Sequence, residues 1–111
     1  MNIVINLQIP GIHQWSECPF EDVGFLKHPH RHLFHIVCKR AVTHDDRDVE
    51  IIRFKHEITE WFKSQYPLNE VAYNLGETSC EMLCRKLAEK FNLCYCSVLE
   101  DGENGAEISL Q

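Results

Sequence analysis

Long apolar runs are missing from this chain of 111 residues. No stretch approaches the ~20 consecutive apolar residues that a membrane-spanning helix needs. Runs of lysine and arginine are missing too. Eleven basic residues stand against 17 acidic ones, a net charge of −6 with neutral histidine. That balance argues against non-specific nucleic-acid binding and against an anionic membrane surface. The N-terminal MNIVINLQIP alternates and carries no positively charged leader, so no secretory signal is expected and the chain is expected in the cytoplasm. No CxxC and no zinc-ribbon spacing occurs among Cys18, Cys38, Cys80, Cys84, Cys94 and Cys96. In a reducing compartment these thiols are expected to be free, and Cys80, Cys84, Cys94 and Cys96 read as small apolar core fillers. Repeats, linkers and low-complexity segments are also absent, which at this length implies one domain over residues 1–111.

Histidine, by contrast, is concentrated. The run His28-Pro29-His30-Arg31-His32 follows His13 across a loop. His30 and His32 are two apart, so on a β-strand both imidazoles lie on one face. A third imidazole from a neighbouring strand completes a three-histidine site with one open position, the arrangement of a catalytic zinc. His13 is the third ligand in this reading and His28, outside the regular strand, is the reserve. His35 has the opposite parity.

Periodicity assigns the rest. Residues 2–9 alternate as a strand, with Pro10-Gly11 breaking or bending it. Residues 14–29 show no period and read as a long loop, where Trp15 and Phe20 are candidates to stack on a flat ligand. Residues 31–42 form a second strand and 49–54 a third, paired as an antiparallel hairpin around the 43–48 turn. Residues 55–65 read as a helix on Ile58, Trp61 and Phe62. Residues 66–77 are a connection. Thr78 and Glu81 have capping-box spacing and start a helix to about Phe91. Strands at 94–100 and 106–110 flank a turn at 101–105. The order is β-β-β-α-α-β-β, an α+β domain with two helices on one face of an antiparallel sheet.

Glu100 ends a strand just before a turn. A carboxylate there accepts two parallel N–H bonds from an amidine-like edge, which guanine and pterin rings both present. No nucleophile with an adjacent base is evident. Cys18, in the loop between the presumed ligands, reads as a spare loop thiol or as one able to approach a metal.

Taken in order, these pieces resemble the 6-pyruvoyl/6-carboxy-tetrahydropterin synthase family over most of the chain. His13 stands for the histidine after that family's first strand, and His30-Arg31-His32-Leu33-Phe34 for its HGHNY-like strand. Ile51-Ile52-Arg53-Phe54 stands for the strand before its helix. Leu68-Asn69, Thr78-Ser79-Cys80-Glu81-Met82, Glu100-Asp101 and Ala106-Glu107 follow at matching spacing. The resemblance implies the tunnelling fold, in which subunits join edge to edge into a barrel, as a trimer or a hexamer. It implies zinc on His13, His30 and His32, Glu100 as anchor of a pterin ring, and a ligand pocket between subunits.

The chain also departs from that pattern. The family's catalytic cysteine falls at Leu26 and its Asp-His pair at Ser64-Gln65, residues that cannot shuttle protons near neutral pH. Arg31 replaces a glycine and Arg53 an aspartate. Two functions are therefore expected to compete. One is a zinc-dependent lyase on a dihydropterin such as dihydroneopterin triphosphate, with Cys18 or His28 as the base. The other is a pterin- or purine-binding module without synthase turnover. A different metal-assisted reaction on a related heterocycle is a third course.

Overall fold

The computed structural model describes residues 1–110. Its first strand, β1 (Asn2–His13), alternates as its sequence does: Ile5, Leu7 and Ile9 are buried, while Val4, Asn6 and Gln8 face solvent. The strand does not break at Pro10-Gly11. Only Gly11, Ile12 and His13 have a neighbour on the far side of β1. Pro10 therefore lies where that side is an open edge, the setting in which a sheet tolerates proline.

A short 3-10 segment (Glu21–Lys27) crosses to β2 (His30–Ala41), which pairs antiparallel with β1 along its whole length. The register sets Ile5 opposite Cys38, Leu7 opposite Ile36, Ile9 opposite Phe34 and His13 opposite His30. One face of this pair is thus apolar for most of its length and turns to imidazole at one end.

The strand expected at 49–54 is not there. Helix α1 (Ile51–Gln65) occupies that stretch, and residues 42–50 form no hairpin. The reason is phase. Phe54 stands four residues before Ile58, which stands four before Phe62, so all three lie on one helical face, and all three are buried. The branched Ile51 and Ile52, which suggest a strand by composition, are half exposed. Glu50 starts the helix by accepting from the Arg53 backbone N–H at 2.7 Å. Consequently the Ile51–Phe54 correspondence with the family's strand does not hold as a strand.

The connection at 66–77 contains a further short strand, β3 (Tyr73–Gly76), which lies parallel to β1. Helix α2 (Cys80–Phe91) follows. Its N-cap is Ser79, one residue beyond the expected Thr78, and the Ser79 hydroxyl accepts from the Met82 N–H at 3.1 Å. Asn92, in the left-handed region, ends it. Strands β4 (Tyr95–Glu100) and β5 (Asn104–Ser109) complete an α+β architecture with strand order β3-β1-β2-β4-β5. The sheet is mixed rather than wholly antiparallel. Among the described residues, no helix is long and apolar enough to cross a membrane.

Both helices contribute to the same core. Phe54, Ile58 and Phe62 of α1 and Leu83, Leu87 and Phe91 of α2 join Leu7, Ile36, Cys38, Cys96 and Val98 of the sheet in one cluster. Each large side chain buried there contributes ~1.5–3 kcal/mol. All six cysteines are free, and Cys80, Cys84 and Cys96 are buried as expected of fillers, with Cys94 partly exposed.

Gly105, in the β4–β5 hairpin, is the position least able to accept a side chain. A Cβ there would run into the Val98 carbonyl oxygen and would sit 2.9 Å from the Leu99 Cα. Both obstacles are backbone, so β5 must move to make room. Gly105→Ala is expected to lower stability by ~1–3 kcal/mol; equilibrium denaturant unfolding reads this directly.

Candidate metal centre

The apolar face of the sheet gives way to histidines at one end, beside the start of α2. Alternation carries Phe34, His32 and His30 along the same face of β2, and His13 directly faces His30 across the ladder. Glu100, opposite Phe34 on β4, brings a carboxylate to the same place. One ligand atom from each of His13, His30, His32 and Glu100 lies within 4.8 Å of all the others. The two distances to Glu100 are 2.9 Å from His13 Nε2 and 3.7 Å from His32 Nε2. Zinc bonds of ~2.0–2.1 Å in a tetrahedron give ligand atoms ~3.3 Å apart, so the cluster needs only small adjustments to close on an ion.

The outward nitrogens of the three rings are all held. His13 Nδ1 donates to the Thr78 carbonyl at 2.9 Å, and His30 Nδ1 donates to the His28 carbonyl at 2.8 Å. A carbonyl only accepts, so Nδ1 carries a proton in both rings, and in a neutral imidazole so held Nε2 is the atom left to bind a metal. His32 Nδ1 lies 2.7 Å from Asp101 Oδ2, a carboxylate–histidine pair of the kind that orients metal ligands. Asp101 is itself fixed by the Leu33 N–H at 2.9 Å. That backbone bond first, and the contact with His32 second, hold its carboxyl below the usual aspartate range.

The inward atoms are left over. His13 Nε2 and His30 Nε2 are buried and make no hydrogen bond. His13 Nε2 is near Glu100 but outside hydrogen-bond geometry. With the ring neutral these are two acceptors 2.9 Å apart, which repel each other unless a proton or a metal ion lies between them. The residues therefore fit a metal ion, by donor type and by the orphaned atoms alike.

Beside the cluster is a cavity of about 530 Å³, lined on its floor by His13, His30 and Glu100 and on its walls by Trp15, Leu26 and Met82. The Trp15 loop is tied down by Trp15 N–H to the Leu26 carbonyl at 2.6 Å and by Ser16, whose N–H and hydroxyl both donate to Glu77. Cys80, at the start of α2, also lines this space. Burial first, and then the neighbouring Glu100 charge, pushes its thiol up to about 12. At neutral pH it stays protonated.

The residues expected to serve as base lie elsewhere. Cys18 is buried, with its Sγ 3.8 Å from the Phe20 and Val23 carbonyls, and does not line the cavity. His28 is exposed and reaches the site through its backbone carbonyl. Trp15 lines the cavity, whereas Phe20 does not. Leu26 does line it, while Ser64 and Gln65 lie exposed at the end of α1. Sequence reasoning missed Thr78, Asp101 and Cys80. The adjacency of Asp101 to Glu100 was a usable signal, since a strand end followed by a left-handed residue turns the second carboxylate back toward β2. The centre that His13, His30, His32 and Glu100 form can hold a metal, and neither a family model nor a curated protein matches the chain to say which one.

Proposed function

We propose that this chain is a zinc-binding protein of the 6-pyruvoyl/6-carboxy-tetrahydropterin synthase type, in which His13, His30 and His32 hold the metal and Glu100 holds a dihydropterin. The single observation that carries this reading is the inward convergence of unpartnered imidazole nitrogens whose other nitrogens are tied off. Three neutral imidazoles with a carboxylate suit zinc better than calcium or magnesium, which prefer all-oxygen shells. Zinc bound there would polarise a substrate oxygen and lower the pKa of its proton. Glu100 has two oxygens, one turned toward His13 and a second able to accept from an N–H edge of the ring. Trp15, Leu26 and Met82 supply flat and apolar walls for a bicyclic heterocycle.

Strand β5 stands at one edge of the sheet and β3, bridged by Leu68 on its outer side, at the other; these edges suit the edge-to-edge barrel of the tunnelling fold, with a trimer or hexamer placing ligands between subunits. Size-exclusion chromatography with light scattering tests this; a strict monomer would count against it.

A second reading is favoured by one specific observation. The bases that the sequence and the resemblance offer are not at hand in the cavity: Leu26 stands where the family has its cysteine, Cys80 is held protonated, and neither Cys18 nor His28 lines the space. A protein that binds or sequesters a pterin or purine without synthase turnover accounts for this directly. Incubating the zinc-loaded protein with dihydroneopterin triphosphate and with dihydroneopterin separates the two. A new pterin product supports the lyase, and binding without product supports the sequestering module. In either case Glu100→Gln is expected to weaken pterin binding by ~1.5–3 kcal/mol, the value of a hydrogen bond to a charged group. An unchanged dissociation constant by calorimetry would remove Glu100 from the ligand site.

A further inference from the structure

Glu100 stands between the imidazoles and the cavity. It ends β4, lines the cavity beside His13 and His30, and keeps 23% of its side chain exposed. Both of its oxygens nevertheless lie against imidazole nitrogen, Oε2 at 2.9 Å from His13 Nε2 and Oε1 at 3.7 Å from His32 Nε2. Neighbouring ligand atoms in a zinc tetrahedron are ~3.3 Å apart, and the two distances fall on either side of that value. One atom from each of the four side chains lies within 4.8 Å of the others. The carboxylate therefore occupies the corner that three imidazoles leave open. All four side chains belong to one chain, and their approach follows from the β1–β2 and β2–β4 registers. No neighbouring subunit is needed to bring them together.

A glutamate in that corner is not free to grip a ring. The amidine-like edge of a pterin or guanine makes two parallel N–H bonds, one to each carboxylate oxygen. Those are the oxygens that lie against His13 and His32. Metal and ring thus compete for one carboxylate. We infer that Glu100 is the fourth ligand of the resting centre, and that a heterocycle taking both its oxygens draws it off the metal and opens the coordination position. Rotation about its side-chain bonds allows that turn toward the cavity with the β4 backbone in place. Opening is thereby tied to the presence of the ring, and small ligands are shut out of the resting site. This rests on the zinc and pterin reading given above and adds how that site is regulated.

The test uses the native assembly with cobalt(II) in place of zinc, because the visible spectrum of cobalt reports its coordination. Free imidazole, uncharged above neutral pH, is the probe of an open position; an anion would also respond to the charge that the variants remove. Imidazole is expected to bind at least ~10-fold more weakly to the unaltered protein than to Glu100→Ala, since it competes with a carboxylate that fills the position most of the time. Glu100→Gln, nearly unchanged in size, should also gain imidazole binding, because a neutral amide is the weaker ligand. Pterin itself has the N–H edge but no side chain to reach the metal. It should tighten imidazole binding to the unaltered protein, and by linkage imidazole should tighten pterin. Imidazole binding to the unaltered protein as tight as to both variants, or pterin that binds without any effect on imidazole, overturns this inference and leaves the zinc and pterin reading standing. Failure of the unaltered protein to hold cobalt or zinc at one equivalent overturns both, and so does a loaded protein that binds no pterin.

Discussion

Zinc is expected at one equivalent per chain in the unaltered protein and at background in His30→Ala and in His32→Ala, with the fold retained in both. Removing an imidazole from a tetrahedral centre deletes one of its bonds and leaves the remaining donors spread around a gap. The loss should exceed the ~10–100-fold that follows from disturbing a ligand's hydrogen-bond partner. The fold is expected to survive because His30 and His32 are only partly buried and stand beyond the end of the apolar core. Below them Phe34, Ile36 and Cys38 remain in one core cluster with residues of both helices. Elemental analysis after dialysis, with circular dichroism as the control, reads the outcome. Full metal retention in both variants would show that the ion sits elsewhere.

The second large effect is expected at a residue that does not itself belong to the ligand cluster. Asp101→Asn keeps the size of the side chain and an oxygen for the Leu33 N–H, and asparagine tolerates the left-handed backbone at φ 56°. It removes the charge that orients His32 at 2.7 Å. Zinc affinity is expected to fall ~10–100-fold, measured by competition with a chromophoric chelator. The pH behaviour distinguishes this role. Asp101 has a carboxyl pKa held down in the folded chain. Its contribution is therefore complete above the ordinary aspartate range and fades only as pH falls through the lowered folded value. Between about pH 6 and 8 Asp101 stays ionised, so the Asp101→Asn defect should persist across the window. A defect that vanishes at one end of the window would contradict the positioning role.

The convergence of the three histidines was legible because strand parity is a strict rule. His30 and His32 differ by two, and the strand that carries them is marked by Phe34, Ile36 and Cys38 in the same phase. His13 was legible because it follows the Ile5–Ile9 alternation in the correct phase, even though Pro10-Gly11 suggested an interruption. The 49–54 strand failed where composition and period disagreed: Val49, Ile51 and Ile52 are strand-like residues, but burial follows Phe54, Ile58 and Phe62. Strand β3 was invisible because four residues carry too little periodicity, and its parallel pairing with β1 is decided by tertiary packing. Glu100 was read as a ring anchor and is also part of the ligand cluster. That proximity depends on the β2–β4 register, which no local pattern specifies.

X-ray absorption at the zinc edge of the loaded protein tests the central claim most directly. The account predicts a first shell of four nitrogen or oxygen atoms at ~2.0–2.1 Å with the outer-shell scattering of three imidazole rings. A sulfur shell at ~2.3 Å would place the ion on the cysteines and contradict it.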